Sequence, residues 1–280
     1  MDTAAFLAAM PAAFTGDIAD GRPADRRYLE ITGRVSGFTT PGELAVLHLA
    51  ASRLPPGEAY LEVGTYKGRS ICAALLDAPP DRLYVSIENF TEFGMVGVQA
   101  RKELMANLDR YAGGHAAFRL LDGDCFALLG KPGLLDRPVG VYFYDGAHTG
   151  MAHFLALGVV EPLLADEALV LVDDATWPMV REATLRYVSK HRGWSVLKSI
   201  DAATDHDPLW ANGLMILAYR RPEGVRRVVP RDARWRLSLQ VYARTPATKV
   251  IWQALDRFPR LVPVAKRLVP KRSRQVRSDP

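Results

Sequence analysis

From residue 59 onward, short apolar runs alternate with stretches of helical periodicity. Ala59–Val63, Leu83–Ile87, Ala117–Leu121, Val139–Tyr144 and Ala168–Val172 read as buried strands. Helical segments fit between them, among them Ser70–Leu76 and Gly97–Tyr111. Such alternation predicts a parallel sheet covered by helices on both faces. A helix is expected over Met179–His191, followed by strands Trp194–Ile200 and Leu214–Tyr219. Only the polar loop Asp201–Asn212 joins these last two, so they should form an antiparallel hairpin at the sheet edge. The pattern therefore predicts a doubly wound, mostly parallel, seven-stranded α/β fold. No internal repeat interrupts it.

Ahead of this region, residues 1–35 read as helical and then irregular, an N-terminal helical or lid segment. Thr40-Pro41-Gly42-Glu43 reads as a capping box: Thr40 caps, Pro41 suits the first turn, and Glu43 reaches back. The helix it opens should stop at Pro55-Pro56-Gly57. Past Tyr219 the periodicity dissolves. The main domain is placed at residues 36–220 and a basic extension at 221–280, with Lys271–Pro280 expected to be disordered.

Charge sharpens that division. The 280-residue chain has a net charge of +5. From Arg220 to Pro280, 17 Lys and Arg face 4 Asp and Glu, giving +13 and leaving −8 on the remainder. The extension mixes Trp252, Leu255 and Phe258 with Arg257, Arg260, Lys266 and Arg267. Such a segment suits a membrane surface, self-association, or docking on the acidic body. The N-terminus lacks a cationic leader, and no apolar run is long enough to span a bilayer. A cytoplasmic protein is expected, with peripheral attachment at the inner membrane surface as an option. Cys72 and Cys125 read as buried thiols.

The chemistry concentrates at the ends of the strands. Leu61-Glu62-Val63-Gly64-Thr65-Tyr66-Lys67-Gly68-Arg69-Ser70 forms the first strand-to-helix turn. Its glycines let backbone approach a ligand closely. Their spacing fits neither the dinucleotide fingerprint nor a P-loop. Glu62 ends the strand and would accept hydrogen bonds from a cationic group. Glu88 ends the second strand, 24 residues after Gly64, where an acid can bind ribose hydroxyls. Asp122-Gly123-Asp124 ends the third, where an acid can accept from an adenine amino group. Taken singly, each acid reads as a solvated loop residue. Together they mark the rim where open α/β sheets bind ligands.

Two more acidic turns follow. Tyr144-Asp145-Gly146-Ala147-His148 ends the fourth strand and Val172-Asp173-Asp174-Ala175-Thr176 the fifth. Three carboxylates on one rim repel unless a cation or proton sits among them. Oxygen-only ligation favours Mg²⁺, Mn²⁺ or Ca²⁺. A plainer role for Asp173 or Asp174 is to cap the next helix. His148 is suited to proton transfer near neutral pH or, equally, to orienting Asp145. His153 reads as structural or substrate-lining. Trp177, Trp210 and the Asp201–Asn212 loop are expected to line an acceptor pocket.

These motifs resemble those of class I S-adenosylmethionine-dependent methyltransferases, over roughly residues 36–220. The resemblance implies a Rossmann-like fold. It assigns cofactor binding to Glu62, Gly64, Thr65, Tyr66, Gly68, Ser70, Glu88 and Asp124. The acidic turns resemble those of metal-dependent O-methyltransferases acting on catechols, sugars and antibiotic intermediates. That implies a metal, Mg²⁺ by expectation, on Asp145, Asp173 and Asp174, with His148 as general base assisted by Asp145. The acceptor would be a hydroxyl of a small molecule or glycan. A nucleic-acid methyltransferase is the rival enzyme, suggested by the basic extension. Against it, the fourth strand lacks the Asn/Asp-Pro-Pro-aromatic motif of base methylation. A non-catalytic binding module on the same fold is the non-enzyme alternative.

Overall fold

A computed structural model describes residues 1–20, 22–90, 95–111, 117–131 and 133–224. The basic extension, apart from its first four residues, lies outside them, and so do the expectations attached to it. Seven strands form one sheet: β1 (Ala59–Val63), β2 (Leu83–Glu88), β3 (Ala117–Asp122), β4 (Val139–Tyr144), β5 (Leu164–Val172), β6 (Trp194–Ile200) and β7 (Leu214–Arg220). Their order is β3-β2-β1-β4-β5-β7-β6. The four pairs among β1–β5 run parallel, while β7 pairs antiparallel with both β5 and β6. This is the doubly wound architecture with an edge hairpin that the alternation predicts.

The helices are α1 (Thr3–Ala9), α2 (Arg27–Arg34), α3 (Pro41–Ser52), α4 (Arg69–Ala74), α5 (Met95–Tyr111), α6 (Cys125–Leu129), α7 (Gly150–Val160) and α8 (Pro178–Lys190). Among the described residues none is long and apolar enough to cross a membrane. The capping box of α3 forms, with Thr40 N donating to Glu43 Oε2 at 2.7 Å. α4 ends two residues earlier than its apolar pattern suggests, where Asp77 turns to a positive φ of 54°. β5 starts four residues before the apolar run, because Leu164 already pairs with Val139 and Glu167 with Arg220. Backbone pairing carries the strand through the polar residues Asp166 and Glu167.

The N-terminal segment joins the main core. Phe6, Met10, Phe14, Tyr28, Ile31 and Val35 are buried in one cluster with α3. Trp210 belongs there too. It is 1% exposed, packs 5.6 Å from Phe14, and donates its indole N–H to Ile18 O. The expectation that Trp210 lines an acceptor pocket is corrected: the large ring is spent on the core.

Switching between strand order and chain order opens a crevice beside β1 and β4. Their ends are tied together past the last strand residues. Gly64 N donates to Ile87 O, Asp145 N to Val63 O, Asp173 N to Tyr144 O, and Gly123 N to Glu88 O. Gly64 adopts φ +93°, and a Cβ there would run into the Asp145 carbonyl. Gly64→Ala should therefore destabilise the protein by about 2–4 kcal/mol, combining left-handed strain with overpacking. Equilibrium denaturation measures this. A loss under about 1 kcal/mol would show that the turn relaxes and that the close crossing is unimportant.

Candidate functional site

The glycine turn and the fourth-strand turn face one cleft. Gly37, Phe38, Thr39, Gly64, Thr65, Tyr66, Lys67, Arg69, Ser70 and Asp145 line it, around an empty volume of about 260 Å³. Four of the expected cofactor residues, Gly64, Thr65, Tyr66 and Ser70, thus share one wall with Asp145. The other wall comes from residues 37–39, just before α3. Arg69 holds it there. Its guanidinium donates to three backbone carbonyls, Thr32, Val35 and Thr39, at 3.1, 2.7 and 3.1 Å. Phe38 stacks on Tyr66, with ring centroids 6.0 Å apart. Neither Arg69 nor Phe38 stands out in the sequence, since nothing local says that residue 69 reaches back across 30 positions.

Three expected cofactor acids are engaged by the protein itself. Glu62 is fully buried behind the turn and accepts from Tyr60, Ser70 and Ser86 hydroxyls at 3.1–3.2 Å. Glu88 accepts from Tyr66 N at 2.7 Å and Asn89 N at 2.8 Å, so it fixes the shape of the glycine turn. Asp124 caps α6 by accepting from Ala127 N. Gly68 begins α4 at φ +89°, where Leu104 closes over it.

The acceptor-side residues converge more tightly. Asp145, His148 and Asp174 each present a ligand atom within 4.8 Å of the others. His148 Nδ1 lies 2.6 Å from Asp174 Oδ2. Asn212 donates its side-chain N–H to Asp174 Oδ1 at 2.7 Å. Asp174 is held in this pose by backbone: its φ is +57°, and Ala175 N and Thr176 N donate to Gly213 O and Asn212 O. A non-glycine residue in that conformation stores strain that the surroundings must sustain. His148 is 46% exposed, sits just before the Thr149 cap of α7, and meets the Trp177 ring edge-on at 5.5 Å.

Asp173 does not join this group. It is buried and faces Glu43, the capping-box acid of α3. A hydrogen bond between two carboxyls requires that one keep its proton. Burial, first of all, pushes both upward, Asp173 further because Glu43 and Asp174 add negative charge. Among the described residues, the side chains close enough to share an ion are Asp145, His148 and Asp174, two carboxylates and an imidazole, where the sequence suggested Asp145, Asp173 and Asp174. Asp145 is itself driven well above the ordinary carboxylate range, by burial and then by Asp173, Asp174, Glu62 and Glu88. Asp174 goes the other way. Burial opposes it, but hydrogen bonds and charge from His148, with Asn212, hold it below its usual value. His153 is buried against Tyr144, its pKa pushed down to about 4 by burial and then by His148. It is a neutral packing histidine at neutral pH.

Glu62 supplies a test of these buried acids. Burial raises it from 4.5 to about 7, against the pull of its hydroxyl donors. An acid with a raised folded-state pKa favours folding below its unfolded value, and that contribution is lost as pH rises through the folded value. Wild-type stability should therefore fall between about pH 4.5 and 7 more steeply than that of Glu62→Gln. Parallel curves for the two proteins would mean that Glu62 is charged throughout.

Residues 61–175 match the family model of a methyltransferase domain. Similar solved structures include the O-methyltransferase TomG from Streptomyces achromogenes in complex with SAM. It is 19% identical, with a TM-score of 0.51, over 78% of this chain and 96% of that one. The O-methyltransferase from Bacillus cereus in complex with SAH is 12% identical, with a TM-score of 0.52, over 78% and 98%. Cofactor-bound Rv0187 from MTB is 19% identical, with a TM-score of 0.53, over 79% and 97%. At such identities the structures establish a shared fold. A comparison with curated proteins found no match. Residues 61–175 thus match a methyltransferase domain, and the chain carries that domain on the fold it shares with the cofactor-bound structures.

Proposed function

We propose that this protein transfers the methyl group of S-adenosylmethionine to a hydroxyl of a small molecule or glycan. The observation that carries the reading is the His148–Asp174–Asn212 chain beside Asp145, at the mouth of the glycine-turn cleft. The cofactor's methionine portion would lie along Gly64, Thr65, Tyr66 and Ser70, which line that cleft. Gly68 begins the helix behind them. Glu88 and Asp124, at the ends of β2 and β3, would meet ribose and adenine once ligand competes for their oxygens.

In the transfer, the acceptor oxygen attacks the methyl carbon in line with the sulfur–carbon bond. That bond breaks, and its electron pair stays on sulfur. The main work of the protein is alignment of the two partners. The acceptor proton goes to His148. With Nδ1 hydrogen-bonded to Asp174, Nε2 is the nitrogen able to accept it, and Asp174 steadies the cation that forms. Asp145 would orient the hydroxyl.

A divalent cation fits the same cluster. The crowding of Asp145 among four other carboxylates favours any positive charge placed there. Asp145 and Asp174 would hold it through their carboxylate oxygens, leaving His148 Nε2 for the acceptor proton. Such oxygen ligation suits Mg²⁺ or Mn²⁺. When bound, the cation would lower the pKa of the acceptor hydroxyl.

The experiment is methyl transfer from radiolabelled S-adenosylmethionine to a panel of hydroxyl compounds. His148→Ala should lower turnover by about 10²-fold or more, with S-adenosylhomocysteine affinity unchanged. Undiminished turnover would remove His148 from the mechanism. Chelation should abolish transfer by the wild type, and Mg²⁺ or Mn²⁺ should restore it. Full activity after chelation would refute the cation.

A further inference from the structure

The acid cluster is polar, yet the surface just outside it is not. Met151 and Met179 are 47% and 48% exposed. They stand in the first turns of α7 and α8, adjacent helices that follow β4 and β5. The two turns touch, for a Cβ on Gly150 would lie 3.2 Å from the Met179 carbonyl. His148 lies three residues before Met151, and Trp177 two before Met179. The rings of His148 and Trp177 meet edge to face. Exposed apolar side chains on two touching helix starts, together with the Trp177 ring, therefore stand close in the chain to the proton-accepting histidine. Phe38, 79% exposed, adds an apolar side chain to the wall that Asp145 shares.

Single exposed apolar side chains are ordinary on a soluble protein. Here they belong to separate elements that the chain topology brings to one rim, around the one place where a polar group is required. Methionine is unbranched and polarisable, so it adapts to flexible apolar partners of differing shape. A free sugar, whose apolar C–H faces are small, would gain less from such a border than a molecule carrying a hydrocarbon arm.

We propose that the acceptor is an amphiphile: a hydroxyl-bearing head reaches Asp145 and His148, and an attached apolar arm lies along Met151, Trp177 and Met179. This inference rests on the methyl-transfer reading of the same cluster. It adds the chemical class of the acceptor. The head supplies the nucleophile, and the arm supplies affinity by leaving water.

The test uses the full chain and two probes, phenol and 4-octylphenol, the latter below its solubility limit. Affinities are read by calorimetry in the presence of S-adenosylhomocysteine. 4-Octylphenol should bind about fiftyfold more tightly than phenol, the gain from covering roughly three methylenes. Met151→Ser combined with Met179→Ser should cut that preference about tenfold, while S-adenosylhomocysteine binds as before. Equal affinity for the two probes overturns the proposal. So does a preference that the double variant retains, because the alkyl chain would then be bound elsewhere. The S-adenosylhomocysteine titration run alongside keeps the two readings apart. Its failure would remove the methyl-transfer reading, whereas the ratio of phenol affinities reports on the apolar border alone.

Discussion

The site depends on the close crossing of two backbones, Gly64 at the end of β1 and Asp145 at the end of β4. No side chain separates them, and Asp145 N donates to Val63 O. The same tie repeats outward, Asp173 N to Tyr144 O on one side and Gly64 N to Ile87 O on the other. These bonds extend the sheet by a residue beyond its strands. They bring Asp145 against the glycine turn and set Asp173 and Asp174 beside it. Moving any one strand by a residue would turn its acid to the opposite face.

Packing so many carboxylates at one rim has an electrostatic cost, and the chain meets it in three different ways. Glu62 is supplied with three hydroxyl donors. Glu43 and Asp173 face one another, an arrangement that requires a shared proton. Asp174 has an imidazole on one oxygen and an amide on the other. Asp145, lying among them, is the group with the least internal compensation and the one that faces the cleft. Charge that the fold leaves uncompensated is available to a ligand, which is why the proposed function places acceptor and cation at this residue.

The strands were legible because they are short apolar runs, and burial on both faces of a parallel sheet demands that pattern. β1 and β4 have the bounds that their sequences predict. β5 does not, since Asp166 and Glu167 belong to it through backbone bonds that composition cannot register. The acids at the strand ends were legible for the same reason: position in an α/β sheet follows from sequence order. Their partners were not. Glu43 reads as a cap and is one, but its reach to Asp173 spans the whole methyltransferase core. Asn212 sits in a polar loop whose hairpin returns it to Asp174, and its role appears only with the left-handed turn at Asp174. Trp210 shows the opposite error, an aromatic in a site loop that serves the N-terminal core.

The most direct measurement is a calorimetric titration of the intact protein with S-adenosylhomocysteine, repeated on Asp145→Asn. The account predicts saturable binding at a single site on the wild type, and a changed affinity in the variant because Asp145 shares the cleft with the glycine turn. Absence of binding by a folded wild-type sample would contradict it, since the cleft formed by β1 and β4 would then not be where the cofactor sits.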